Sequence, residues 1–423
     1  MLKGFTILIV IMFLILSKNK YRTWVNPYTV FNILWIAVYT LICIGNAFVY
    51  EPSKVALSCM LVGILAFNIS IFSKRLVLGK NQRRMKEYAL DIKSAYWISI
   101  ITLAVSVILA AGAIQSFMSG NSLAIIRNEY YTYESSSSVW IYYLRNYIAS
   151  PLRYITIIAA ALDFLGFNGT KNKKLLINML LIVVLQAITS GGRYVLMNTM
   201  FVFICVYLFY GAYKNYRWKQ KLIIIGIIAL LGYAIVYLTN DRTTHLMQDM
   251  NTVQKLYTTI YEYFAGSVTY MGKVVETSPE IIGKTFGLNM IAGFLIPIFV
   301  VFNFLHIVPY PQVFNYIGTY ACAVLQIGPN TYYNAMPTIF GYFYIDGGLI
   351  LTFIEAWIFG YVCKRVFEKA MDGSLLNVAF YLLIFIQICN SSTRWFFYSP
   401  EFCLAFIFLR IIFKPTGRIL SKE

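Results

Sequence analysis

Acid is what this chain has least of. Asp and Glu number 17 among 423 residues, against 35 Lys and Arg, and charged residues make up only 12% of the whole. The only histidines are His245 and His306, so a histidine-rich metal or catalytic centre is excluded. The 7 cysteines form no CxxC or Cys/His ligand spacing, which argues against both a zinc site and a disulfide framework. No phosphate-binding glycine loop, GxSxG elbow, HExxH helix or DxD pair occurs. The usual soluble-enzyme chemistries therefore have no carrier here. Any chemistry must rest on arginines, carboxylates and helix ends, with no metal or cofactor of its own.

Apolar surface is what the chain has in excess. Hydrophobic residues are 59% of it, with 34 Tyr and 32 Phe. A soluble domain of that composition would expose far too much apolar area. Runs of roughly 18 or more apolar residues recur, the length needed to cross a hydrocarbon core. The net charge of +18 does not point to nucleic acid. Basic residues gather in short gaps between apolar runs: Lys18, Lys20 and Arg22; 74–93; 171–174; 214–221; 364–369; and the tail from Lys414. Alternate gaps are basic, as the positive-inside rule requires.

These patterns predict an all-α, polytopic transmembrane bundle of about 11–12 spans, forming a single integral membrane domain over 1–423. Helices are expected near 2–17, 28–48, 55–72, 95–114, 148–166, 174–190, 194–212, 222–239, 338–362, 375–391 and 396–413. No small-residue cleavage site follows the first run, so it reads as an uncleaved helix. With basic gaps inside, the N-terminus lies outside and the C-terminus inside. The apolar run 287–305 breaks this alternation if it crosses, and is read as re-entrant or surface-lying. Three outer regions result: 115–147, the turn Ser190-Gly191-Gly192-Arg193, and a long region over 240–337.

Arg193 is a fixed cation following two glycines, and the helix beginning at Tyr194 points its positive end the same way. Guanidinium fork, glycine N–H groups and helix terminus all suit phosphate oxygens. An arginine snorkelling to lipid headgroups is the plainer alternative. Asp241-Arg242-Thr243-Thr244-His245 offers a second fork, a carboxylate and an imidazole suited to proton transfer. Arg127, Arg145, Arg153 and Arg394 also fall on or near the outer side, against positive-inside logic, and anion binding would explain them. Asp346 and Glu355 lie within the 338–362 helix, where carboxylates are costly and are functional candidates by default. For Glu355 a buried hydrogen bond or an arginine partner is the expected explanation. His306 reads as interfacial, and the aromatics from Tyr257 to Tyr270 as sugar-stacking or belt residues.

Three passages resemble the Wzy-type oligosaccharide repeat-unit polymerases of O-antigen and capsule synthesis. Ser190-Gly191-Gly192-Arg193 is similar to the family's small-residue turn closing on an outer arginine. Tyr261-Glu262-Tyr263-Phe264-Ala265-Gly266-Ser267 looks like its aromatic-Gly-Ser segment. Asn334 and Thr338, with Tyr342 to Asp346-Gly347-Gly348, resemble its approach to a late helix. Some members carry an Arg followed eleven residues later by Gly in two outer loops, a pattern that neither Arg193 nor Arg242 follows.

The resemblance implies a metal-independent glycosyltransferase in the bacterial cytoplasmic membrane. It would join undecaprenyl-diphosphate-linked repeat units at the outer face and release undecaprenyl diphosphate. Arg193 and Arg242, with Arg127, Arg394, Asn334 and Tyr342, would bind substrate, and His245, Asp241 or Asp346 would serve as base. The implied partners are the lipid-linked oligosaccharides, membrane lipids, a chain-length regulator and a flippase. An O-antigen ligase, a lipid-linked oligosaccharide flippase or other transporter, and a non-enzymatic copolymerase partner are the competing readings.

Overall fold

A computed structural model of the chain describes residues 2–74, 85–120, 139–165, 171–190, 192–209, 218, 222, 225–226, 252–316, 323–329, 331–333 and 337–420. The principal helices, in chain order, are α1 (Leu2–Tyr21), α2 (Pro27–Ile44), α3 (Lys54–Ile69), α4 (Ile92–Met118), α5 (Ser150–Phe164), α6 (Lys173–Ser190) and α7 (Tyr194–Phe209). They continue with α8 (Thr252–Phe264), α9 (Gly266–Thr277), α10 (Ala292–Phe304), α11 (Ile339–Met371), α12 (Leu375–Cys389) and α13 (Pro400–Phe408). Strands are few among the described residues: β1 (Met85–Leu90) pairs antiparallel with β4 (Phe413–Leu420), and β2 (Leu325–Gln326) with β3 (Tyr332–Tyr333). Among the described residues, seven helices are long and apolar enough to cross a membrane, with α7, α10 and α12 as shorter apolar ones. The protein is an all-α, multi-pass helical bundle.

Local chemistry explains where helices start and stop. Asn26 caps α2 by accepting from the Thr29 N–H, with Pro27 in the first position, and Gly45 at φ 78° ends it. Ser53 caps α3 through the Ala56 N–H. Helix α11 runs past the expected end at 362, because Arg365 and Glu368 continue it as a paired polar turn (3.0 Å) until Gly373 at φ 93°. The last expected span, 396–413, is shorter. Lys414 precedes Pro415, which disfavours helix, so the chain becomes a strand that pairs Lys414 with Ala89. Helix α10 has 13 residues, about 20 Å, too short for a core of about 30 Å. The expected 222–239 span falls almost wholly outside the described residues.

The chain divides into two compact units, the first comprising Met1–Arg83, Leu256–Met371 and Gln387–Cys403. In its core Phe31 stacks on Phe67 at 3.9 Å between ring centroids, and Trp35 lies 5.2 Å from Phe340. Gly63 lets the Phe340 ring against α3, where any Cβ would collide with it. Asn32 and Asn68 exchange amide hydrogen bonds of 2.8 and 3.0 Å between α2 and α3, satisfying two groups that neither lipid nor apolar core could.

The two ends of this unit differ in charge. At one end Lys20 and Lys364 both donate to the Ile71 carbonyl, at 2.7 and 3.1 Å, and Lys364 also donates to Ser73 O at 2.7 Å. The basic gaps 18–22 and 364–369 thus converge at the residues that lead into the 74–93 gap, as alternation of basic gaps requires. At the other end Lys3 pairs with Glu51 at 3.0 Å. There the α2–α3 turn receives α8, α9 and the β2–β3 hairpin. Tyr257 donates to Gly45 O (2.6 Å), Thr269 to Tyr50 O (3.0 Å) and Thr331 to Phe48 O (2.9 Å). Helices α8 and α9 and the β2–β3 hairpin therefore dock on the end away from Lys20 and Lys364.

The second unit comprises Arg84–Lys255, Asp372–Ile386 and Leu404–Glu423. Helix α4 packs on α5 and α6, with Asn178 donating to Ser99 Oγ at 2.9 Å. A π-helical segment, Leu144–Ala149, leads into α5. Buried Arg153 donates to Gln186 Oε1 at 2.5 Å, and Gln186 passes its own amide to Ser106 Oγ at 2.9 Å. At the strand pair Lys414 meets Asp91 at 2.5 Å, and Ser94 donates to the same carboxylate.

Candidate functional site

On an unbroken helix, Asp346 and Glu355 would not meet. Nine residues at about 100° each set them on opposite faces, and at about 1.5 Å each they stand about 13.5 Å apart along the axis. Helix α11 is broken between them, however. Gly347 has φ 175°, ψ 44°, and Gly348 has φ 65°, ψ −154°, a conformation essentially open to glycine alone. The break turns Glu355 so that its carboxyl faces that of Asp346.

The segment between α9 and α10 closes over this break. Gly283, at φ 86°, donates its N–H to the Ile345 carbonyl at 2.8 Å, taking an acceptor that the broken helix leaves open. Thr285 donates its hydroxyl to Asp346 Oδ1, and the Asn289 amide donates to the same oxygen at 2.6 Å. That amide also reaches Thr285 Oγ at 3.0 Å. Gly287 approaches so closely that a Cβ there would stand 3.5 Å from Glu355 Oε1. Trp395 donates to Asn289 O at 3.0 Å, and its ring lies 5.0 Å from Phe343, 5.0 Å from Phe359 and 4.9 Å from Phe397. The carboxyl pair is thus enclosed by fixed donors on one side and aromatic rings on another. Asp346 is 0% and Glu355 3% exposed, and among the described residues no N–H or alcohol hydroxyl donates to Asp346 Oδ2 or to either Glu355 oxygen.

Of the two partners expected for Glu355, a buried hydrogen bond or an arginine, no arginine pairs with it among the described residues. Its neighbour is a second carboxyl, because the helix break redirects its side chain. Tyr342, expected at a binding surface, is fully buried, with its ring 5.8 Å from that of Tyr398. Arg394 is half-buried, donates to Ser399 Oγ at 2.8 Å and lies over the Phe396 ring. The aromatic stretch from Tyr257 to Tyr270 is largely packing. Tyr261 and Tyr270 are buried, and Tyr270 donates to Ala323 O at 2.6 Å. Burial pushes the Tyr261 hydroxyl up to about 12, so it stays protonated.

Arg193 belongs to the second unit, whereas Asp346, Tyr342 and Arg394 belong to the first. It stands half-buried at the head of α7, its carbonyl accepting from Met197 N at 3.0 Å. The expectation that the glycine N–H groups before it serve an anion needs correcting at Gly192. That N–H is spent within the chain, on Ala187 O and Ser190 Oγ, both at 3.2 Å. Buried Arg145 and Arg153 belong to the same unit as Arg193. His306 sits just after α10 at φ 56°. Arg127, Asp241, Arg242, His245 and Asn334 lie outside the described residues.

Sequence reading singled out Asp346 but missed the residues that hold it, Thr285 and Asn289. The available signal was the clustered glycines at 283 and 287, which mark a segment built for close approach. Compared with models of protein families, with curated proteins and with solved structures, the chain matches none.

Proposed function

We propose that the chain is a polysaccharide polymerase of the bacterial cytoplasmic membrane. It would join undecaprenyl-diphosphate-linked oligosaccharide repeat units at the outer face. The single observation that carries the reading is the docking of the 252–333 segments on the end of the first unit away from Lys20 and Lys364. A substrate region on the non-cytoplasmic side is what a polymerase of flipped units requires, and two of the three passages resembling that family, 261–267 and the one from Asn334 to Gly348, fall within or beside this region in sequence. Arg193, a half-buried cation at the positive end of an apolar helix, supports it further.

In the reaction the acceptor hydroxyl oxygen attacks the anomeric carbon of the growing chain. The bond from that carbon to the diphosphate breaks, and undecaprenyl diphosphate leaves with the electron pair. Arg193 and Arg242, with Arg127 as a further cation, stabilise the charge that develops on phosphate oxygens. A base takes the hydroxyl proton. Asp346 is enclosed and faces another carboxyl, so His245 or Asp241 is the base in this reading. A flippase would supply the units, and a chain-length regulator would act on the product.

A second reading, transport of a lipid-linked oligosaccharide, is favoured by the broken α11, since discontinuous helices bearing enclosed carboxyls are features of coupled transporters. One experiment separates the two: purified protein in detergent is given a synthetic lipid-diphosphate repeat unit, without vesicles or a gradient. A ladder of longer chains is expected, together with its loss in Arg193→Ala and Arg242→Ala variants that remain folded. Unextended substrate with wild-type protein sinks the polymerase reading. Wild-type ladders from either variant sink that arginine's role.

A further inference from the structure

The acids inside α11 lack what enclosed acids ordinarily have. The donors around Asp346 are already committed: the Thr285 hydroxyl and the Asn289 amide both go to Oδ1, and the amide's remaining hydrogen goes back to Thr285. The Trp395 N–H is committed to the Asn289 carbonyl. Three carboxyl oxygens, Asp346 Oδ2 with Oε1 and Oε2 of Glu355, accept from no N–H or alcohol hydroxyl among the described residues, and both side chains are closed off from solvent. Among the described residues no Lys or Arg pairs with either acid. Enclosed charge is retained only when something compensates it. Every uncommitted ligand atom named here is oxygen, with no sulfur or imidazole nitrogen, which is the ligand set of hard cations.

We propose that Asp346 and Glu355, brought together by the break at Gly348 and covered by the 283–290 segment, bind a hard cation of the alkali or alkaline-earth class. Glu355 supplies Oε1 and Oε2, and Asp346 contributes Oδ2 while Thr285 and Asn289 hold its other oxygen in place. The cation fastens the covering segment to the broken helix. Exposed Phe286, at φ 42°, lies on that segment, so loss of the cation frees a stretch that already carries backbone strain. The site is independent of the polymerase reading and is tested with no lipid-linked sugar present.

The experiment follows thermal unfolding of the full-length protein in detergent by tryptophan fluorescence. Choline chloride is replaced at constant ionic strength by sodium, potassium, magnesium or calcium chloride. One of these is expected to raise the midpoint saturably. The rise should vanish in Asp346→Asn and in Glu355→Gln, and persist in Glu280→Gln, which alters an exposed acid of the same connection. No advantage of any cation over choline in the wild type would mean that a proton neutralises the pair, and overturns the proposal. So would a rise that survives both substitutions. Should either variant fail to fold, equilibrium dialysis of the wild type against the radioactive cation decides. Saturable binding, weakened about tenfold or more by Thr285→Val, supports the site. Its absence, or binding indifferent to Thr285, overturns it.

Discussion

Replacing Gly348 by alanine tests the helix break without touching either acid. A Cβ at this position meets nothing within 4 Å, so the substitution creates no clash. The cost is purely that of the backbone. At φ 65°, ψ −154° an L side chain is held in a region nearly reserved for glycine, worth about 1–3 kcal/mol. The chain can keep the break and bear that strain, or straighten and carry Glu355 half a turn away from Asp346. Either way the folded state weakens. Gly112→Ala in α4 is the matched control, since it also meets nothing within 4 Å but lies on ordinary helical backbone. There the same change is neutral or stabilises by up to about 1 kcal/mol. Denaturant titration of both variants in detergent should place the Gly348→Ala midpoint below the wild type and the Gly112→Ala midpoint at or above it. Equal midpoints for the two would refute a left-handed break at Gly348.

Two other predictions address the units separately. Asn32→Leu leaves the Asn68 amide buried without its partner and should destabilise by about 1–2 kcal/mol in the same titration, with Asn32→Leu/Asn68→Leu losing less than the sum of the single variants. Wild-type stability for either single variant would remove the pair from the account. In the second unit, hydrogen bonds from Lys414 and then Ser94 hold the Asp91 carboxyl below its usual range. A depressed folded value means the contribution is complete above about pH 4, the ordinary Asp value, and disappears as pH falls through the lower folded one. Because Lys414 is largely exposed, the effect is small, at most about 1 kcal/mol. Melting below pH 4 should be less acid-sensitive in Lys414→Met than in the wild type, and identical profiles would count against the pairing.

The membrane architecture was legible because it depends on run length and on where lysines fall, and both are local properties of a sequence. The convergence of Lys20 and Lys364 on Ile71 is what alternation of basic gaps requires. Helix ends were less legible. The strand at 413–420 depends on a partner strand over 300 residues earlier, although Pro415 was a local hint. The meeting of Asp346 with Glu355 was illegible for a stronger reason. Helical periodicity places them apart, and only the Gly347–Gly348 break reverses that. Thr285 and Asn289 are unremarkable in sequence and acquire their role from a contact across about 60 positions. The aromatic stretch around Tyr261 invites a sugar-stacking reading, yet its partners on the α2–α3 turn make it a docking surface.

Sidedness decides whether Arg193 can meet a flipped substrate, and cysteine accessibility reads it. In a background with the native cysteines replaced, Phe286→Cys probes an exposed residue of the segment over α11, and Trp24→Cys an exposed residue of the lysine-rich end. Phe286→Cys and Arg193→Cys should react with a membrane-impermeant maleimide in intact cells, and Trp24→Cys only after the membrane is opened. The reverse pattern would put the proposed diphosphate-binding residues on the cytoplasmic side and rule out a polymerase acting at the outer face.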